Sequence, residues 1–88
     1  MPEFPDKCVI VCESVHDVMA LEHALKNAGI AVEMIPTPRE LTSDCGMALE
    51  AGTSELERIS QLRGELQLRW HNIFSRGKDG WQPLAPAD

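Results

Sequence analysis

Hydrophobic and polar positions along the chain fall into short blocks whose period changes from one block to the next. Lys7 to Cys12, KCVIVC, is an apolar run rich in β-branched residues and too short for a helix, which predicts a first strand buried on both faces. Ser14 then offers a side-chain oxygen to the unpaired amides of a helix start, and Asp17 adds a favourable negative charge in the first turn. Val18, Leu21, Leu25 and Ala28 recur at helical spacing while His16, Asp17, Glu22, His23 and Lys26 take the other sides, so one stripe faces the core. Gly29 closes this helix by adopting left-handed backbone, with Ile30 folding back onto the last turn. Ala31 to Ile35 predicts a second strand, stopped by Pro36 and Pro38, which cannot donate to a central ladder. The loop Thr37 to Asp44 follows, and Met47 to Ala51 predicts a third strand.

Ser54 and Glu57 have capping-box spacing at the start of a second helix, whose stripe is Leu56, Ile59, Leu62 and Leu66, with Gly64 as its expected break. Leu68, Trp70 and Ile73 to Phe74 then supply a last strand. The same spacing also fits one longer helix running through Gly64, at a cost of about 1 kcal/mol for the glycine, and the strand is preferred. The order β-α-β-β-α-β is that of the split βαβ, or ferredoxin-like, sandwich: a four-stranded antiparallel sheet with two helices on one face and the other face open for association. From Ser75 the chain turns to Gly, Pro and Asp with a lone Trp81, which predicts a domain at 1–74 and a flexible tail at 75–88.

Charge narrows the partners. Fourteen acidic against eight basic residues give a net charge of −6, which repels nucleic-acid phosphates and anionic lipid alike. Met1 to Lys7 carries two prolines and two acids where a secretory signal needs a basic start and an apolar run, and no stretch approaches the ~20 apolar residues of a membrane span. Three cysteines without an export signal argue for thiols in a reducing compartment, so a cytoplasmic protein is expected. At 88 residues one core is the limit, and its burial is modest enough that a partner or a homodimer would add stability.

The chemistry concentrates in the loop from Ile35 to Leu49. Two prolines stiffen its entry, Ser43 and Asp44 favour turn backbone, and Gly46 after Cys45 permits close approach of another backbone or sulfur donor. A thiolate is the reactive form of cysteine; Arg39 and the amides around Gly46 favour that anion, whereas Asp44 opposes it unless its carboxylate turns outward or pairs with Arg39. Cys8 and Cys12, four apart on the first strand, share a face as small core residues. His16 and His23 share a side of the first helix, and with Cys12 or Cys45 they can be drawn as a zinc site. Their spacing is not that of structural zinc, so solvated histidines and no metal are expected. Met19, Met34 and Met47 read as core filler, as does Trp70. There is no serine nucleophile beside a histidine and an acid, and no phosphate-cradling glycine run, so autonomous hydrolysis or phosphoryl transfer is not expected.

Val9 to Leu49 resembles the selenium/sulfur (Se/S) carrier protein-like family, short bacterial and archaeal domains. The resemblance lies in the first strand leading into a helix near Ser14 to His16, in its closure at Ala28-Gly29-Ile30, and above all in Ile35-Pro36-Thr37-Pro38-Arg39-Glu40 followed by Ser43-Asp44-Cys45-Gly46-Met47-Ala48-Leu49. It implies that Cys45 is a carrier thiol, with Arg39, Asp44 and Gly46 as its setting, taking persulfide or perselenide from a donor protein and passing it to an acceptor without a cofactor. The contrasting expectation is a non-catalytic interaction or regulatory module that uses the open sheet face or Trp81 and is indifferent to Cys45.

Overall fold

The computed structural model describes residues 7–41, 46–68, 70, 72–77 and 80–83. At its centre lies β1 (Lys7–Val11), which pairs antiparallel with β3 (Met47–Gly52) on one side and with β4 (Asn72–Gly77) on the other. β2 (Val32–Pro36) adds to the outer edge of β3 and β5 (Gly80–Pro83) to that of β4, giving a five-stranded antiparallel sheet of order β2-β3-β1-β4-β5. With two helices, the architecture is α+β as expected, but the sheet has five strands in place of four. The fifth comes from the segment expected to be a tail. β4 continues through Ser75 to Gly77, and β5 turns back along it with Trp81 opposite Arg76 and Gln82 opposite Ser75. Residues 84–88 of that segment lie outside the described residues.

Helix α1 (Val15–Asn27) forms where its local signals place it. Ser14 is extended, and its Oγ accepts the Asp17 N–H at 3.2 Å. At the other end Gly29 has φ +83°, its N–H donates to the Lys26 carbonyl at 3.0 Å, and the Ile30 N–H reaches back to the Leu25 carbonyl at 2.9 Å. This is a Schellman closure, with the buried Ile30 sealing it. The Arg58 guanidinium, from the second helix, donates to the Ala28 carbonyl at 2.8 Å, placing positive charge at the negative end of α1.

Helix α2 (Leu56–Leu66) departs from its local signals twice. A 3-10 turn over Thr53–Glu55 precedes it, the N-cap is Glu55, and no side chain caps either element, so the Ser54–Glu57 box is not formed. The helix also runs through Gly64 and ends at Gln67, which takes left-handed backbone at φ +53° and lets the Leu68 N–H bond the Arg63 carbonyl at 3.1 Å. Burial of Ile59, with Leu56 and Leu62 against the same core, outweighs the small penalty of one helical glycine. Leu68 and Trp70 precede the last strand and pack on the core from the α2–β4 connection, where the Arg63 guanidinium lies 4.5 Å from the Trp70 ring centroid.

Strand alternation divides the core in two. Cys8, Ile10, Leu49, Ala51 and Ile73 share one sheet face with Val18, Leu21 and Leu25 of α1 and Ile59 of α2. Met34 and Met47 fill the margin of this layer, but Met19 is 53% exposed and is not core filler. The opposite face was expected to be open, and at its centre it is not. Val9, Val11 and Ala48 are buried there, packed with Leu41 and bordered by half-buried Ile35, Phe74 and Trp81. Among the described residues no helix is long and apolar enough to cross a membrane.

Candidate functional site

The candidate site is the connection from β2 to β3. Its base is built by the strand ends: Pro36 is paired with Met47, and one step further the Thr37 N–H donates to the Gly46 carbonyl at 3.0 Å. Amides on a strand point alternately to its two sides, so the ring nitrogen of Pro36 falls on the outer side of this edge strand, where no ladder bond is lost. Pro36 therefore does not stop the strand as expected: it is the last residue of β2, and the pairing runs one bond past it. Beyond the base the chain turns at once, the Leu41 N–H donating to the Pro38 carbonyl at 3.0 Å across Arg39 and Glu40, both exposed.

Arg39 thus stands on the outside of a defined turn and makes no ion pair among the described residues. Gly46 is exposed at the base, and a Cβ built on it meets nothing within 4 Å. Among the described residues, then, no neighbour demands a glycine at that position. Cys45 and Asp44, the expected carrier thiol and its acidic neighbour, lie outside the described residues.

The other two cysteines have a different setting. Cys8 and Cys12 are both buried on the helical side of the sheet, the small core residues that their spacing predicts. Burial pushes the Cys8 thiol up to about 11; a backbone hydrogen bond with Ala51 acts the other way, and the charge of Glu50 adds to the rise. Such a thiol is protonated at neutral pH and shielded from reagents, so it is unsuited to carrying sulfur.

His16 and His23 are exposed on α1, His23 within 3.1 Å of the Asn27 amide nitrogen, while Cys12 is 1% exposed. Among the described residues no three His, Cys, Asp or Glu side chains gather to hold a metal ion.

Leu41 is the feature that the pattern of the sequence did not reveal. It is the one buried side chain among the loop's described residues, set in the second-face cluster with Val9, Val11 and Ala48. A single leucine in an otherwise polar stretch between two prolines and Ser43-Asp44 was the available signal.

No curated protein and no solved structure gives a significant match to the chain. A family model does match, over residues 7–75, a stretch that takes in the first three strands, both helices and the whole loop with Cys45, and ends within β4, short of β5. By that match over most of its length, the chain belongs to the family described as "Putative Se/S carrier protein-like".

Proposed function

We propose that this protein is a sulfur or selenium carrier in the cytoplasm, with Cys45 as the carrier thiol. The observation that carries the reading is the family match across residues 7–75, which includes the loop bearing Cys45. The geometry supports it: the loop is closed at its base by the Thr37–Gly46 bond, bears an exposed cation at Arg39, and leaves open space beside Gly46. We read the order β4-β1-β3-β2 with both helices against one face as the split βαβ, ferredoxin-like arrangement, extended by β5.

The chemistry is thiol exchange. The Cys45 thiolate attacks the outer sulfur of a donor persulfide, R–S–SH; a new S–S bond forms, the donor S–S bond breaks, and the donor leaves as R–S⁻. Cys45–S–SH results, the proton stays on the terminal sulfur, and no external oxidant or reductant is needed. Attack by an acceptor thiolate repeats the step and regenerates Cys45. Perselenide travels by the same exchange. Arg39 favours the thiolate and the departing anion through its charge. The partners are a donor and an acceptor protein that dock on the loop in turn.

The test is mass spectrometry of the native protein after incubation with a cysteine desulfurase and cysteine. Wild type, Cys8→Ser and Cys12→Ser are expected to gain one sulfur, and Cys45→Ser none. Sulfur retained in Cys45→Ser, or no adduct on a Cys45 that iodoacetamide does alkylate, would overturn the reading.

A further inference from the structure

β2 is an outer strand of the sheet, and one of its edges is open. The Thr37–Gly46 bond fixes the phase of its amides. Those of Glu33, Ile35 and Thr37 turn toward β3, so those of Val32 and Met34 turn outward, on the same side as the nitrogen of Pro36. The outer row thus holds two N–H donors and the carbonyls of Val32, Met34 and Pro36, with no main-chain partner among the described residues. Such a row is a template for one more strand. Helix α1 lies over β2 and β3, so one of its flanks meets α2 and the other overlooks this edge. Asp17, Ala24 and Ala28 are half-buried on the first flank, where Arg58 of α2 reaches the Ala28 carbonyl. Val15 and Met19, 43% and 53% exposed, lie on the second. On the other face of the sheet Glu33 stands directly opposite Glu50, whose carboxylate lies 3.9 Å from Lys7, while Glu33 has no ion pair among the described residues.

We infer that the outer edge of β2, with Val15 and Met19 of α1 beside it, is a docking site for an extended basic segment of a partner protein, which adds to the sheet as a further strand. Main-chain bonds to Val32, Met34 and Pro36 hold the segment in register. Successive side chains of a strand alternate between the faces, which sets its pattern: a Lys or Arg opposite Glu33, and on the helical side an apolar residue that covers Met19. The cation offsets the repulsion between Glu33 and Glu50 across the ladder. A second copy of this chain is the poorer occupant. Two copies bring together two net charges of −6, and a two-fold pairing centred on Met34 sets each Glu33 against the apolar Ile35 of the other copy. The site stands whether or not Cys45 carries sulfur, because none of its residues belongs to the loop.

The probe is a capped nonapeptide of alternating lysine and valine, titrated into the isotope-labelled full chain and followed by NMR. The Val32 and Met34 amides and the Met19 methyl are expected to shift most, and both amides to gain protection from hydrogen exchange. A peptide of alternating glutamate and valine is expected to bind at least about tenfold more weakly, and Glu33→Lys to reverse the order of the two. The lysine peptide N-methylated at every residue keeps its charges but cannot join a ladder, so it is expected not to bind. Equal affinity for the two charged peptides overturns the inference, as does unimpaired binding of the N-methylated one, which would mean a charge contact without strand addition. Shifts centred on β5, or on Phe74 and Trp81 of the second face, overturn it as well, and so does no shift at about 1 mM lysine peptide. A dimer that forms without peptide and protects the Met34 amide, read by sedimentation velocity and exchange, would give the edge to a second copy and overturn the partner assignment. Should Glu33→Lys fail to fold, Glu33→Gln, expected to remove the preference between the charged peptides, carries the same comparison.

Discussion

The backbone N–H of Thr37 donates to the carbonyl of Gly46 at 3.0 Å, and this one bond joins the two ends of the segment that contains Cys45. It continues the β2–β3 ladder one step past the Pro36–Met47 pair, so the loop is an extension of a hairpin with both ends fixed in space. Replacing Thr37 by Pro removes the donor, and the loss of one such bond is worth about 1 kcal/mol. The expected result is local: faster exchange of amides near the loop base, measured by mass spectrometry of proteolysed fragments, with little change at β1 and β4.

Gly46→Ala asks whom the glycine serves. Because a Cβ at this position meets nothing within 4 Å, the variant is expected to unfold in urea within about 0.5 kcal/mol of wild type. Slower sulfur transfer from a desulfurase in a protein that is equally stable would assign the glycine to partner approach. A larger loss of stability would instead show that the chain's own fold needs it.

Burial of Cys8 makes stability depend on pH on the alkaline side. In the unfolded chain this thiol ionises near 9, whereas in the folded protein it is held up to about 11. The folded state therefore keeps a proton that the unfolded state releases. The contribution is complete below pH 9 and falls away between pH 9 and 11, by about 2 to 3 kcal/mol in total. Urea unfolding of wild type and Cys8→Ala across that window checks it. The wild-type curve is expected to fall more steeply, and parallel curves would remove Cys8 as the cause.

Gln67 ends α2 with φ +53°, backbone that a residue with a Cβ adopts at a cost of about 1 to 2 kcal/mol. Glycine relieves that strain but adds freedom to the unfolded chain. Gln67→Gly is expected to raise stability by about 0.5 kcal/mol, visible in thermal or urea unfolding, and a clear loss would mean that the Gln67 side chain itself holds the turn.

Trp81 tests whether β5 belongs to the folded unit. It is half-buried against the second-face cluster, so Trp81→Ala is expected to cost about 1 to 3 kcal/mol in urea unfolding. It should also make the socket of Leu41 looser in hydrogen exchange. An unchanged midpoint would leave the hairpin as an appendage to the first four strands.

The sequence by itself determined the elements whose causes lie within a few residues of one another. KCVIV became β1, with Cys12 just past its end; Ser14, Asp17 and Gly29 placed both ends of α1; and the spacing of Cys8 and Cys12 put both in the same core cluster. The family was legible from the proline-arginine and cysteine-glycine stretches as well, because those residues adjoin in sequence. The tertiary structure decided what depends on partners far along the chain. Ser54 and Glu57 had the spacing of a cap, yet the turn leaving β3 tightened into a 3-10 form and left the box unused. Gly64 carried a local stop signal, which packing of Ile59 overrode. Trp81 and Leu41 sit in polar, turn-rich stretches, and their burial exists only because β1, β3 and β4 bring Val9, Val11, Ala48 and Phe74 onto one face. Caps and turns are set by hydrogen bonds and φ preferences that neighbouring residues carry with them, whereas the burial of a lone apolar side chain is set by strand register, which no short stretch contains.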